Sequence, residues 1–306
     1  MAKIFIDGSA GTTGLRIHER LKERDDLELI ILPDEIRKDN AARAKALDEA
    51  DIAFLCLPDQ AAIEAVSLSS NPNTAIIDTS TAHRTAQGWT YGFPELIGKE
   101  KIKNSKRIAN PGCHASGFVA LVTPLVRAGI LNKDALLTCF SLTGYSGGGK
   151  KMIADYEGQE RSALLKGPRQ YGLTQQHKHL KEMVYISKLE SAPAFCPIVG
   201  DFYSGMEVTV PVFAKDLKGN SSDIKEVYKE CYTGSLVHFE EEADENGFLS
   251  AAAFSGRDDM QICVSGNEER ILLVARFDNL GKGASGSAIQ NMNILLGLNE
   301  SYGLVK

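Results

Sequence analysis

Lys3-Ile-Phe-Ile-Asp7, then Gly8-Ser9-Ala10-Gly11-Thr12-Thr13-Gly14, then a segment of helical pattern reaching Arg24, follow one another without interruption. An apolar strand run, a glycine turn and a helix in this order open a parallel sheet flanked by helices. Gly8, Gly11 and Gly14 form G-x-x-G-x-x-G, and such a turn lets backbone N–H groups at a helix N-terminus approach a pyrophosphate. The spacing departs from G-x-G-x-x-G, and a tight turn that needs small residues accounts for the same glycines.

Downstream the alternation repeats, with strand candidates at residues 27–32, 52–57 and 75–78 and helices at 41–50 and 60–67. Runs such as IAFLCL (52–57) are too uniformly apolar to face water and suit strands covered on both faces. A doubly wound α/β half is expected. From about residue 114 the pattern changes to longer alternating strands, MEVTVPVFA (206–214) and ILLVARFD (271–278), with a helix at 222–232, which reads as an α+β second domain. Residues 281–298 begin GKGASGSA and carry Ile289, Met292, Leu295 and Leu296 at helical spacing, so a helix closes the chain.

Composition narrows the function. Of 306 residues, 43% are hydrophobic and 24% charged, which excludes disordered, collagen-like and coiled-coil chains. Lys plus Arg is 34 against 40 for Asp plus Glu, a net charge of −6 that makes nucleic acid or an anionic membrane a poor partner and a small molecule a better one. Asp7 breaks what a secretory signal would continue, and no run approaches the ~18 apolar residues of a membrane span, so a soluble cytoplasmic protein is expected. The six cysteines include no C-x-x-C and read as reduced thiols.

Several residues carry chemistry. After the second strand come Asp34 and Glu35, which suit the ribose hydroxyls of NAD, and then Arg37 and Lys38, which suit the 2′-phosphate of NADP; the stretch alone does not decide. Asn110-Pro111-Gly112 is a turn, and Cys113 follows it at the start of a helical pattern, where thiolate is stabilised. Pro124 inside that pattern should kink or interrupt the helix. Tyr171, His177 and His179 lie close together in sequence, and an imidazole suits proton transfer beside a thiolate. On an extended segment the two histidines would point to the same side. No matching Cys or carboxylate cluster accompanies them, so no metal is expected. Gly144-Tyr145-Ser146-Gly147-Gly148-Gly149-Lys150-Lys151 offers a nest and cations for phosphate, and Arg84, after a strand end, offers a bidentate clamp for a carboxylate or phosphate.

These pieces together resemble the N-acetyl-gamma-glutamyl-phosphate reductase family, shorter bacterial type, within the aspartate-semialdehyde dehydrogenase-like superfamily. The resemblance runs over nearly the whole chain, through IDGSAGTTG, AFLCLPD, IDTSTAHR, YGFPEL, NPGC, GYSGGGKKMI, the Tyr171/His177/His179 trio and GKGASGSAIQNMN. It implies an NADPH/NADP-binding Rossmann domain at residues 1–113 plus 281–306, and an inserted α+β catalytic and oligomerisation domain at 114–280. It makes Cys113 the nucleophile and His177 the general acid/base, with Arg84, Ser146, Lys150, Tyr171 and His179 toward substrate and phosphate. The cofactor set is Gly8, Ser9, Gly11, Thr12, Thr13, Gly14, Arg37, Lys38, Leu57, Pro58, Gly283 and Ser285, the last four at the edges of the nicotinamide site. A homo-oligomer is implied, dimer or tetramer.

The chain departs from the family after the cysteine, where His114-Ala115-Ser116 replaces an aromatic residue and a threonine; His114 is expected to point away from the thiol. The reaction implied is reduction of an acyl phosphate to a semialdehyde, through a thioester, in arginine biosynthesis. A sister reductase acting on aspartyl or aminoadipyl phosphate, a cysteine hydrolase and a non-catalytic NADP-binding protein are the rivals.

Overall fold

The computed structural model describes residues 1–9 and 11–306; Ala10 of the first glycine turn lies outside the described residues. The chain divides into two compact units, Met1–Gly112 with Ala284–Leu304 and Cys113–Gly283 with Val305–Lys306. Against the domain junctions expected from sequence, the first falls before Cys113 and the second after Gly283.

In the first unit β1 (Ala2–Asp7), α1 (Thr12–Lys22), β2 (Leu27–Ile30), α2 (Asn40–Glu49), β3 (Ile52–Leu55), α3 (Asp59–Leu68), β4 (Ala75–Asp78), β5 (Thr90–Tyr91), two short helices, α4 (Pro94–Ile97) and α5 (Lys99–Lys103), and β6 (Arg107–Ala109) build a parallel sheet of order β2-β1-β3-β4-β6-β5. Alternate residues of β1 supply both faces: Ile4 and Ile6 pack with Ile17 and Leu21 of α1 and with Ile289 and Met292 of a terminal helix, Gly286–Leu295. Phe5 packs on the other face with Leu47 of α2 and Ala62 and Ala65 of α3. Two-sided covering is why these strands lack polar alternation. The chain leaves β1 for β2 on one side and returns to β3 on the other, and at such a reversal the carboxyl ends of the strands leave a crevice for a ligand.

The second unit opens with α6 (Cys113–Arg127), followed by β7 (Thr138–Gly144), α7 (Gly149–Glu157), β8 (Arg169–Gln170), α8 (His179–Ser187), β9 (Ala194–Gly200), β10 (Met206–Phe213), α9 (Ser221–Cys231), β11 (Val237–Phe239), β12 (Met260–Gly266) and β13 (Arg270–Phe277). Its seven-stranded mixed sheet has the order β11-β12-β13-β10-β7-β9-β8. Helix α6 is buried from His114 to Leu125 and packs on β10, β13, α8 and α9.

Pro124 does not interrupt α6, which runs on to Arg127. Proline removes the N–H that would bond the carbonyl four residues earlier, that of Ala120. The Tyr232 hydroxyl donates to that carbonyl at 2.5 Å, and the Tyr228 hydroxyl donates to the Leu121 carbonyl at 2.6 Å. Two tyrosines at the end of α9 thus satisfy the backbone that the proline disturbs. Tyr232→Phe should therefore lower unfolding stability by about 1–3 kcal/mol, the cost of a buried acceptor left unpaired; an unchanged urea midpoint would contradict this role.

The Gly144–Lys151 stretch, read as a nest with cations, forms a short 3-10 turn, Tyr145–Gly148, running into α7. One further expectation is corrected. His177 and His179 do not share an extended segment, because His179 already opens α8.

Candidate active site

In the first unit the glycine turn follows β1 directly. Gly8 has φ +87, and a Cβ there would stand 2.3 Å from the Cys56 carbonyl oxygen; a Cβ on Gly14 would stand 2.5 Å from the Gly8 oxygen. Only glycine fits where the turn after β1 meets the chain leaving β3. Gly11 is the N-cap of α1, and no side chain among the described residues caps that end, so the first N–H groups, at Thr12, Thr13 and Gly14, keep the character of an anion site. Beside the turn lies a cavity of about 290 Å³ lined by Gly8, Ser9, Leu57, Arg37 and Lys38, with Pro58 next along the chain as the N-cap of α3.

Sequence reading missed Arg43 on the wall of this cavity. Its Nε and Nη2 donate to Asp7 Oδ2 at 3.0 and 2.8 Å. Burial pushes the Asp7 carboxyl above its ordinary value, and Arg43 opposes that push. The available signal was Asp7 itself, an acid at the buried end of an apolar strand, which requires a cation. Asp34 is not among the cavity's lining residues and pairs with Arg37 at 3.1 Å, leaving the cavity wall cationic.

Asn110 is buried, and its side chain donates to the Ala284 carbonyl at 3.0 Å. Arg84 is buried as well, donating from Nε to the Asn110 carbonyl at 2.9 Å and from Nη2 to the Thr79 carbonyl at 3.0 Å. Two of its donors thus hold backbone oxygens and brace the Asn-Pro-Gly turn ahead of Cys113.

Cys113 is the first residue of α6, where the positive end of the helix dipole favours thiolate. Other thiols are held in their protonated form: burial pushes Cys56 up to about 12 and Cys263 up to about 11, and raises Cys139 as well. An added Cβ on Gly283 would stand 3.0 Å from Cys113 Cβ, so the lack of a side chain at this glycine is what lets its backbone approach the cysteine closely. Ser285, two residues on, is buried in the first unit.

Tyr171, His177 and His179 come together, and a fourth ring joins them. The rings of His177 and His179 are 4.8 Å apart, and His114 lies 5.6 Å from each. His114 is held within the cluster: its Nε2 is 2.6 Å from the Tyr171 hydroxyl and its Nδ1 2.7 Å from the Ser141 hydroxyl. The reason is its place one residue into α6, which faces the sheet and α8 rather than solvent. Burial, then the neighbouring His177, holds His114 down to about 3, so it is neutral. His177 is half-buried and also titrates below its ordinary value, through burial and then Lys178. The His179 backbone N–H reaches His177 Nδ1 at 3.3 Å and orients that ring. Burial raises Tyr171, and Cys113 lies within electrostatic reach and raises it further.

Ser146 is buried and accepts from Asn279 Nδ2 at 3.0 Å, whereas Lys150 is exposed on the first turn of α7. Among the described residues, no group of three or more His, Cys, Asp and Glu is arranged to hold a metal ion, and no helix is long and apolar enough to cross a membrane.

Comparison with known proteins gives this arrangement its relatives. Residues 3–105 match the model of the semialdehyde dehydrogenase NAD binding domain, and residues 113–279 that of the semialdehyde dehydrogenase dimerisation domain. N-acetyl-gamma-glutamyl-phosphate reductase 2 of Nostoc sp. is 47% identical over 318 aligned residues, covering 99% of each chain, and the N-acetyl-gamma-glutamyl-phosphate reductase of Brucella ovis is 46% identical over 307, covering 96% of this chain and 99% of the relative. Among solved structures, aspartate semialdehyde dehydrogenase II of Vibrio cholerae, complexed with ASA, superposes with a TM-score of 0.72 at 17% identity over 97% of this chain and 98% of that one, and the NADP-bound Candida albicans enzyme with 0.67 at 15% over 97% and 98%, likenesses of fold. With a turn that admits only glycine at positions 8 and 14, a helix-opening cysteine and near-full-length identity of this order, the chain belongs to the N-acetyl-gamma-glutamyl-phosphate reductase family.

Proposed function

We propose that this protein reduces N-acetyl-L-glutamyl 5-phosphate to N-acetyl-L-glutamate 5-semialdehyde with NADPH, in arginine biosynthesis. The observation that carries the reading is Cys113 at the N-terminus of α6 with the Tyr171, His177 and His179 cluster in the same unit, in a chain of this family.

The first unit fits the cofactor. Gly8 to Gly14 supply backbone donors for the pyrophosphate, with Ser9 and Leu57 on the cavity wall and Arg37 and Lys38 as cations for the 2′-phosphate. Bound NADPH supplies the hydride that takes the acyl carbon to the aldehyde level. An Arg37→Ala/Lys38→Ala variant should raise the KM for NADPH about 10- to 100-fold, the size of one or two charge-assisted hydrogen bonds, and leave that for NADH nearly unchanged. Equal sensitivity of both cofactors would contradict the assignment.

The chain's own residues carry the rest. His177, neutral near pH 7, takes the thiol proton of Cys113. The sulfur attacks the acyl carbon, a C–S bond forms, the bond from carbon to phosphate oxygen breaks, and His177 returns the proton to the departing phosphate. Backbone N–H groups at the start of α6 stabilise the oxyanion. After reduction the C–S bond breaks, the aldehyde leaves, and a proton taken up from solvent through His177 restores the thiol. Lys150, exposed on α7, serves the phosphate, and His179 orients substrate. Incubation with the acyl phosphate without NADPH should leave one acyl group on the Cys113 peptide and release phosphate; an acyl group elsewhere, or none, would overturn the sequence of steps.

The second unit supports a homodimer. Thr209 pairs with Phe140 and Pro211 with Leu272 on its sheet, and Phe140, Leu272 and Phe213 are exposed, Phe213 by 54%. Exposed apolar residues side by side on a sheet suit burial against a second copy. Phe213→Asp/Leu272→Asp should give a monomer in sedimentation; an unchanged mass would remove this face.

A further inference from the structure

The mechanism above leaves His114 and Ser141 without a role, although both are buried and bonded to each other and, through His114, to Tyr171. Among the described residues His114 is the only hydrogen-bond partner of the Ser141 hydroxyl. A buried hydroxyl that accepted from Nδ1–H would leave its own O–H unmatched, which costs more than the bond returns. Ser141 therefore donates to His114 Nδ1. A neutral imidazole with Nδ1 accepting carries its proton on Nε2, so Nε2–H donates to the Tyr171 oxygen. The Tyr171 proton is then directed to a further acceptor, and the imidazole that holds the Tyr171 oxygen belongs to the residue next to Cys113 at the start of α6.

We infer that Ser141 and His114 form a directed hydrogen-bonded chain that presents the Tyr171 hydroxyl as a donor to the sulfur of Cys113 and the acyl oxygen bound there, an assignment that rests on the function proposed above. Tyr171 is then a catalytic residue, and His114 and Ser141 are positioning residues. The position after the cysteine, His114, becomes the link that sets the polarity of the site. Because burial keeps His114 neutral, the polarity does not reverse near neutral pH. In chains with another residue after the cysteine the tyrosine would need a different orienting partner.

Two measurements test this, one without activity. In nitrogen-15 NMR of the histidine-labelled wild-type protein, with His114 identified by loss of its signal in His114→Gln, His114 should be the neutral Nε2–H tautomer from pH 5 to 8. The Nδ1–H tautomer would overturn the inference whatever reaction the protein catalyses. The second is a double-mutant cycle read in kcat and in the pH dependence of iodoacetamide labelling of the Cys113 peptide. Tyr171→Phe should lower kcat on the order of 10²-fold, as loss of one oxyanion donor does, and move thiol labelling to higher pH. Ser141→Ala should lower kcat about 3- to 10-fold, the worth of one hydrogen bond, and have no further effect in the Tyr171→Phe background. Equal effects of Ser141→Ala in both backgrounds would show that it acts on packing and not through the tyrosine. If Ser141→Ala does not fold, the wild-type spectrum still decides.

Discussion

Cys113→Ser should abolish turnover, by on the order of 10⁴-fold or more, while NADPH binds as before. A serine at the first position of α6 meets the same helix dipole, but that field is too weak to ionise an alcohol near pH 7, whereas it suffices for a thiol. The substitution removes the covalent step alone, because the glycine turn and the cavity of the first unit do not include residue 113. Fluorescence titration with NADPH and steady-state assays separate the two effects. Turnover within about 100-fold of wild type, against the ~10⁴-fold or larger loss expected for a nucleophile, would take Cys113 out of the mechanism.

His177→Ala should be the next most damaging change, lowering kcat by ~10² to 10⁴, the usual worth of a general acid/base. Burial disfavours the charged imidazolium, so His177 titrates below its ordinary value and is in its basic form at pH 7. The acid limb of the wild-type kcat profile should accordingly fall on the acidic side of an ordinary histidine, with activity lost as pH falls through it, and His177→Ala should flatten that limb. His179→Ala should act mainly on KM. A larger fall in kcat for His179→Ala would exchange the two roles, and an acid limb unmoved in both variants would send the proton transfer elsewhere.

The Rossmann half was legible because its signals are local. A glycine turn between an apolar strand and a helix announces itself in sequence, and Gly8 and Gly14 are where the turn admits no Cβ. Cys113 was legible for the same reason, since Asn-Pro-Gly fixes a turn and the apolar spacing after it fixes a helix. What escaped is set by partners distant in sequence. Ser141, 27 positions from His114, gives the imidazole its direction, and nothing near His114 encodes that. Tyr232, 112 positions from Ala120, supplies a donor to the carbonyl that Pro124 leaves unbonded, so a rule about proline alone, which foretold a kink or interruption, misses the tertiary hydrogen bond that accompanies a helix running on to Arg127. Arg84 shows the same limit: nothing near it in sequence announces the Asn110 carbonyl, 26 positions away, that its Nε holds.

The most direct test of the proposed function runs the reaction backwards. NADP reduction is followed with N-acetylglutamate, aspartate and aminoadipate semialdehydes, each with and without inorganic phosphate. Differences in chain length are worth only ~1 to 3 kcal/mol per methylene, so preference must be measured as kcat/KM ratios. The prediction is phosphate-dependent reduction with the highest kcat/KM for N-acetylglutamate semialdehyde. A higher value for aspartate or aminoadipate semialdehyde, or reduction that needs no phosphate, would contradict it.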